Sequence, residues 1–256
     1  MYTEELVQLS KNSNSYEEME RVKENFNKLE SLFVYKTSLS EPLQNTQDLK
    51  VLFGYNTFRF IQHLLFRSKI LAKGSIDSIN NNNLLSSVII LRSHFETTGG
   101  IAYFLKRLGS YYKGNIDFER IDKDLFRLSL GATTIDMEEV PKPINVMNLI
   151  DAADFIINRD IFKYPKGEKP LFKDKYDFLS DFTHPNFHGL STGSKIIHKN
   201  KEIIYLTEED ANEEVLNHQL DLAISLDLFC YCYSETLSLI TKNEHMPIIH
   251  AAKEIV

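Results

Sequence analysis

The stretch Leu84-Leu-Ser-Ser-Val-Ile-Ile-Leu-Arg-Ser-His-Phe-Glu96, continuing through Thr97-Thr-Gly-Gly100 into Ile101-Ala-Tyr-Phe-Leu105, decides the fold. It is too long for a strand and apolar nearly all round, so it reads as a helix at the centre of a bundle. Its expected span is 84–108, with Asn83 as N-cap and Gly109 as the stop. Adjacent glycines inside a helix cost about 1 kcal/mol each relative to alanine. Gly99 and Gly100 therefore predict close approach of another backbone or of a ligand.

Amphipathic helices extend outward from it on both sides. Ser15-Tyr-Glu-Glu18 has the pattern of a capping box, followed at spacings of three and four by Met19, Val22, Phe26, Leu29 and Phe33, which predicts a helix over 15–36. A second is expected over 46–73, ending at Gly74, with the polar loop Asn80–Asn83 after it. Downstream the pattern gives helices at 118–130 and 144–158, and a Pro- and Gly-containing connector at 159–170. A short helix at 171–183 is expected to bury Leu171, Phe172, Phe178, Leu179 and Phe182. Ile196-Ile197 and Ile203-Ile204-Tyr205 about Lys199-Asn200 predict a small β-hairpin near 194–206. Thr207 then caps a closing helix over 208–241, with Glu208, Glu209 and Asp210 at its positive end. The fold class is all-α, a single helical bundle with one hairpin. One domain over 1–256 is expected, with 1–74 a candidate subdomain and 84–241 the core that carries a polar pocket.

The composition is that of a globular chain, 256 residues with 43% hydrophobic and 25% charged residues, which excludes a disordered or collagen-like protein. A net charge of −7 excludes a generally basic nucleic-acid coat and leaves only local basic faces. Cys230 and Cys232, two apart on a helix, point away from each other and read as buried thiols in a reducing compartment. Met1-Tyr-Thr-Glu-Glu5 does not open like a signal peptide, and Arg92, Glu96 and Asp227 interrupt the most apolar runs before membrane-spanning length. A cytoplasmic, non-membrane protein is the expectation.

Arg92 and Glu96, four apart, share one face of the apolar helix. A guanidinium there needs a carboxylate or phosphate, and Arg-before-Glu is the weaker order for a simple helix pair. Tyr176, Ser180 and His184 form a polar stripe on helix 171–183, expected opposite Phe178, Leu179 and Phe182, and the chain then turns through Pro185 and Asn186. His184 is the member that titrates near neutrality and so the candidate acid–base; Ser180 is a weaker nucleophile candidate. An internal ion pair and a helix-end hydrogen-bond network are the competing structural explanations. Arg59, His63 and Arg67 form a second stripe, able to grip a phosphate backbone or to serve as a solvated basic face. Asp181, His184 and His188 are possible metal ligands, but Pro185 and Gly189 break the helix between the histidines; no metal or other cofactor is assigned. His94 points away from Arg92 and reads as a hydrogen-bonded core histidine. Gly-rich phosphate loops and His-Glu-x2-His motifs are absent from the sequence.

Leu91-Arg-Ser-His-Phe-Glu96, Tyr176-Asp-Phe-Leu-Ser180 and Thr183-His-Pro-Asn186 resemble a bacterial family of helical proteins of unknown function, with an Arg-x3-Glu helix and a Tyr-x3-Ser-x3-His-Pro helix end. The resemblance covers residues 84–190. It implies a helical fold and a shared pocket of Arg92, Glu96, Tyr176, Ser180, His184 and Asn186, without a known reaction. A looser similarity is to HEPN domains, helical bundles that often act as metal-independent ribonucleases in toxin and antiviral systems. Their motif sets Arg four to six residues before His, usually at a dimer interface. Here Arg92-Ser-His94 has one intervening residue and Arg59-Phe-Ile-Gln-His63 has three.

Two functions follow as expectations. The first is a HEPN-like protein that binds RNA or a nucleotide and cleaves RNA without a metal. In it His184 is the acid–base, Arg92 holds phosphate, Glu96 and Tyr176 orient them, and the substrate's 2′-hydroxyl attacks. The second is a non-enzymatic homodimeric interaction module. There the same residues lock helices, and Leu226, Phe229, Tyr233, Leu237 and Ile240 offer the dimer stripe, with burial in the protein's own core as the competing explanation.

Overall fold

In the computed structural model, which describes residues 1–13, 15–33, 49–132, 141–184, 189–190, 195–199, 202–206 and 212–242, the apolar helix of the opening stretch is the central element of the bundle. Helices α1 (Glu4–Asn12), α2 (Tyr16–Ser31) and α3 (Leu49–Asn80) precede it; it is α4 (Leu84–Tyr112). It is followed by α5 (Phe118–Leu130), α6 (Val146–Ile156), α7 (Leu171–Thr183), strands β1 (Lys195–Lys199) and β2 (Glu202–Leu206), and α8 (Asn212–Lys242). The class is all-α, as its pattern requires. The strands form an antiparallel pair with Lys195 opposite Leu206 and Lys199 opposite Glu202, within the expected hairpin.

Helix α4 packs against α3, α5, α6, α7 and α8. Leu84, Val88, Leu91, Phe95, Ile101, Phe104 and Leu108 are all buried along it, which is why no solvent face is needed over most of its length. Asn83 caps it, its side chain accepting from the Ser86 N–H at 3.0 Å. The glycine pair divides. A Cβ on Gly99 would stand 3.0 Å from the carbonyl carbon, oxygen and Cβ of Leu149 on α6, whereas one on Gly100 would meet nothing within 4 Å. Close backbone approach thus accounts for Gly99 and leaves Gly100 without a structural reason.

Several expectations are corrected. Helix α3 does not stop at Gly74 but runs to Asn80, because Ser75, Ile76 and Ile79 beyond the glycine are buried and their packing outweighs its propensity. Helix α4 likewise passes Gly109 to reach Tyr112. Ser15 makes no side-chain cap bond, so the capping-box pattern before α2 is not realised, and the described helix ends at Ser31. The unexpected α1 is capped by Thr3 and packs Leu6 in a small cluster with Met19, Ile79 and Leu84. Helix α6 gives way to a π-helical turn, Ile157–Ile161, at the start of the connector. On α7 the inward face is Phe172, Tyr176 and Leu179, while Phe178 is 47% exposed. The Tyr176 stripe therefore does not lie opposite Leu179.

Leu226, Phe229, Tyr233 and Ile240 of α8 are buried in the protein's own core. Helix α8 spends that face against α4, α2 and α3, so it is not available as a dimer stripe. Its expected cap, Thr207, and the acidic residues 208–210 lie outside the described residues. Cys230 and Cys232 are buried free thiols, and burial pushes the Cys230 thiol up to about 12. Among the described residues no helix is long and apolar enough to cross a membrane.

Candidate functional site

The Arg92 and Glu96 face of α4 meets α7, and a connected polar cluster results. Arg92 Nη1 donates to Thr183 Oγ1 at 3.0 Å and Nη2 to the Tyr176 hydroxyl at 3.1 Å. The Tyr176 hydroxyl donates in turn to Glu96 Oε1 at 3.0 Å, and Arg92 Nε lies 3.6 Å from the same oxygen. The guanidinium also sits 5.4 Å from the Tyr176 ring centre. Tyr176 is 3% exposed, its ring in the core and its hydroxyl held between the two charges. Of the residues expected to share a pocket, Arg92, Glu96 and Tyr176 are thus brought together.

Ser180 and His184 are not part of that hydrogen-bonded set. Ser180 turns its hydroxyl back onto its own helix, donating to the Tyr176 carbonyl at 2.8 Å, so it is not presented as a nucleophile. Thr183, which opens the Thr183–Asn186 stretch but is not among the residues expected in the pocket, takes the place expected for His184; its own hydroxyl donates to the Ser180 carbonyl at 2.9 Å. His184 is exposed at the helix end and makes no hydrogen bond among the described residues. Asn186 and His188 lie outside the described residues, and Asp181 is exposed. Among the described residues no three His, Cys, Asp or Glu side chains are grouped to hold a metal ion. Arg92 is thus occupied by α7 on both terminal nitrogens, the arrangement of an inter-helix clamp.

The second stripe opens onto space. Arg59, His63 and Arg67 are exposed on α3 and line a cavity of about 610 Å³ between α3 and α5. Asn56 stands beside them, Phe60, Leu64 and Leu125 form its apolar parts, and Asp122, Phe126, Ser129 and Leu130 line it from α5. Successive members of an i, i+4, i+8 stripe rise by about 6 Å along a helix, comparable to the step between phosphates of an extended strand. Arg59 and His63 have no hydrogen bond or ion pair among the described residues. Among the described residues Arg67 is held by one edge only. Its Nε donates to Thr97 Oγ1 at 3.0 Å, and that hydroxyl donates to the Ser93 carbonyl at 2.8 Å. The two terminal nitrogens of Arg67 remain for a ligand. Partial burial raises the Asp122 carboxyl above its ordinary range.

Beneath Arg67 lies a buried network joining three helices. His94 Nε2 is 2.8 Å from Ser68 Oγ of α3, and its Nδ1 is 2.7 Å from Ser225 Oγ of α8, which also lies 3.0 Å from Thr98 Oγ1. Burial, and secondarily the Arg67 charge, push the His94 imidazole down to about 3. It is a neutral core histidine, as expected, and no acid–base for neutral pH. A second cavity, about 560 Å³, is lined by Arg107, Asp117, Glu119, Arg120 and Lys123, but its charges are mixed and Arg107 is already paired with buried Asp124 at 2.5 Å.

No family model, curated protein or solved structure matches this chain.

Proposed function

We propose that this chain is an RNA- or nucleotide-binding helical protein whose ligand lies in the α3–α5 groove, with its phosphates on Arg59, His63 and Arg67. The observation that carries this reading is the coincidence of the basic stripe with an open cavity of about 610 Å³. A stripe on a solvated helix face would have no opposing wall; here α5 supplies one. The chain carries −7 overall, so an anionic ligand must be met by a local concentration of cations, and this groove offers one. Its size is within the range of sites that take nucleotide-sized molecules.

Metal-independent cleavage belongs to the same groove. His63 lines the cavity, where its imidazole can accept a proton from a bound substrate. In that step the substrate's 2′-oxygen bonds to phosphorus as its proton passes to His63, the bond from phosphorus to the 5′-oxygen breaks, and the leaving oxygen takes a proton from water. A cyclic phosphate and a free 5′-hydroxyl result. Arg59 and Arg67 would hold the charge that accumulates on the phosphoryl oxygens. For Arg92, Glu96, Tyr176 and Thr183 the supported role is structural, because both terminal nitrogens of Arg92 are bonded to α7 and the Tyr176 hydroxyl is bonded to Glu96.

Fluorescence anisotropy of a labelled mixed-sequence RNA tests the binding. Arg59→Ala with Arg67→Ala is expected to abolish it and the wild-type affinity to fall steeply with salt; no binding, or binding indifferent to that double variant, overturns the proposal. For cleavage, product formation with EDTA present should vanish in His63→Ala. Cleavage that survives His63→Ala but is lost in His184→Ala would return the chemistry to the end of α7.

A further inference from the structure

The two walls of the groove differ in kind. Helix α3 contributes Arg59, His63 and Arg67, whereas α5 contributes Asp122, Phe126 and Leu130, again at i, i+4 and i+8 and so on one side of the helix. Phe126 is 46% exposed and Leu130 54%, large apolar groups open to solvent inside a charged cleft. Asp122 makes no hydrogen bond or ion pair among the described residues, although Arg59 and Arg67 line the same cavity. A bare phosphate or other small anion would use only the α3 wall and would be repelled by Asp122. The ligand that satisfies both walls is anionic at one end and flat, apolar and hydrogen-bond-donating at the other.

We propose that the α5 wall seats a nucleobase bearing an exocyclic amino group. Its ring lies against Phe126 and its amine donates to the Asp122 carboxylate, while the attached phosphate lies on α3. This rests on the reading of the groove as a ribonucleotide site and adds to it a base preference. Adenine and cytosine present an amino donor at the position where uracil presents a carbonyl oxygen, which Asp122 repels. Phe126 supplies the stacking face that single-strand binders use without regard to sequence, and Asp122 supplies the discrimination. Leu130 extends the apolar surface by one further turn.

The test uses the full chain and anisotropy of labelled oligo(A), oligo(C) and oligo(U) of equal length, with inorganic polyphosphate and AMP as competitors. Oligo(A) and oligo(C) are expected to bind roughly tenfold more tightly than oligo(U). Phe126→Ala should weaken oligo(A) by roughly tenfold, the scale of one lost base–aromatic stack, and leave competition by polyphosphate unchanged. Phe126→Tyr should restore oligo(A) binding, and Asp122→Asn should bring oligo(U) level with the others. Equal affinity for the oligonucleotides in the wild type, or an equal loss of polyphosphate in Phe126→Ala, overturns the base wall and leaves the phosphate groove standing. Failure of polyphosphate and every oligonucleotide to bind removes the groove itself. If AMP competes as well as a stretch of oligo(A), the base wall is upheld and its source is a free nucleotide; if only the strand competes, the base wall is upheld within RNA.

Discussion

Substituting alanine at Gly99 and at Gly100, one at a time, should move stability in opposite directions although the positions are adjacent in one helix. Alanine is favoured over glycine in a helix interior by about 1 kcal/mol. At Gly100 nothing stands within 4 Å of the new Cβ, so that gain is undiminished and Gly100→Ala should stabilise the protein by about 1 kcal/mol. At Gly99 the Cβ meets the Leu149 carbonyl carbon, oxygen and Cβ, each at 3.0 Å. Two of those atoms are backbone and cannot rotate aside, so α6 must retreat by a few tenths of an ångström. Overpacking of this sort costs about 1–3 kcal/mol, which outweighs the helical gain and leaves a net loss on the order of 1 kcal/mol. Urea denaturation followed by far-ultraviolet circular dichroism gives both differences, and each should appear as a change in midpoint at constant slope. If Gly99→Ala equals or exceeds Gly100→Ala in stability, α4 and α6 are not in backbone contact and the account of the glycine pair is wrong.

Tyr176→Phe removes the hydroxyl that links Arg92 to Glu96 and should cost about 1.5–3 kcal/mol in the same assay, without changing RNA affinity. Asp154 accepts from the Phe172 N–H and the Lys173 N–H, each at 2.9 Å, and from the Tyr164 hydroxyl at 2.5 Å, capping α7 where Pro170 cannot. Asp154→Ala should therefore cost about 2 kcal/mol, the upper end for a lost cap, and should lower the helical signal. His94, folded near 3 against 6.5 in the unfolded chain, binds fewer protons when folded at every pH between those values. Its contribution to stability is thus whole above about pH 6.5 and is lost as pH falls, at about 1.4 kcal/mol per unit, or about 2 kcal/mol by pH 5. His218, also lowered, chiefly by burial, adds in the same direction, and denaturation midpoints in His94→Gln should depend less steeply on pH over this range.

What could be read from the residues was whatever one helix determines by itself. The apolar circumference of α4 placed it at the centre, Asn83 gave its cap, and a charge pair in an apolar surround required a partner, which α7 supplied in Tyr176. What depends on a second element is not legible in one helix's pattern. Gly74 looked like a terminus because burial of Ile76 and Ile79 beyond it depends on α1 and α4. Phe178 looked like core because helical spacing does not say which side of α7 meets α4; Tyr176 does, since its hydroxyl must reach Glu96. Neither Thr97 nor Thr183 is marked by residue type as a partner for an arginine, since a helical threonine more often bonds its own backbone. The α5 wall was equally silent: Asp122 and Phe126 acquire meaning only when α5 lies across Arg59 and Arg67, more than fifty residues earlier in the chain.

The contrast between the two arginine sites gives the sharpest trial of the functional assignment. A ligand phosphate arriving at Arg92 would first have to displace Thr183 and Tyr176, each hydrogen bond to a charged group worth about 1.5–3 kcal/mol, and would loosen α4 from α7 in doing so. At Arg59 and His63 no bond among the described residues is sacrificed, and at Arg67 the Thr97 bond fixes Nε while the terminal nitrogens stay open among those residues. Binding energy at the groove is therefore not spent on breaking the fold. It follows that Arg59→Ala should leave the stability within about 0.5 kcal/mol of wild type while weakening RNA binding, as expected for an exposed charge with no partner among the described residues. Arg92→Ala should do the reverse, destabilising the chain by about 2 kcal/mol through the loss of its hydrogen bonds to Thr183 and Tyr176 and leaving the RNA affinity of the remaining folded protein unchanged. A variant at Arg92 that keeps full stability yet loses RNA would mean that the clamp opens to ligand, and the groove would cease to be the preferred site.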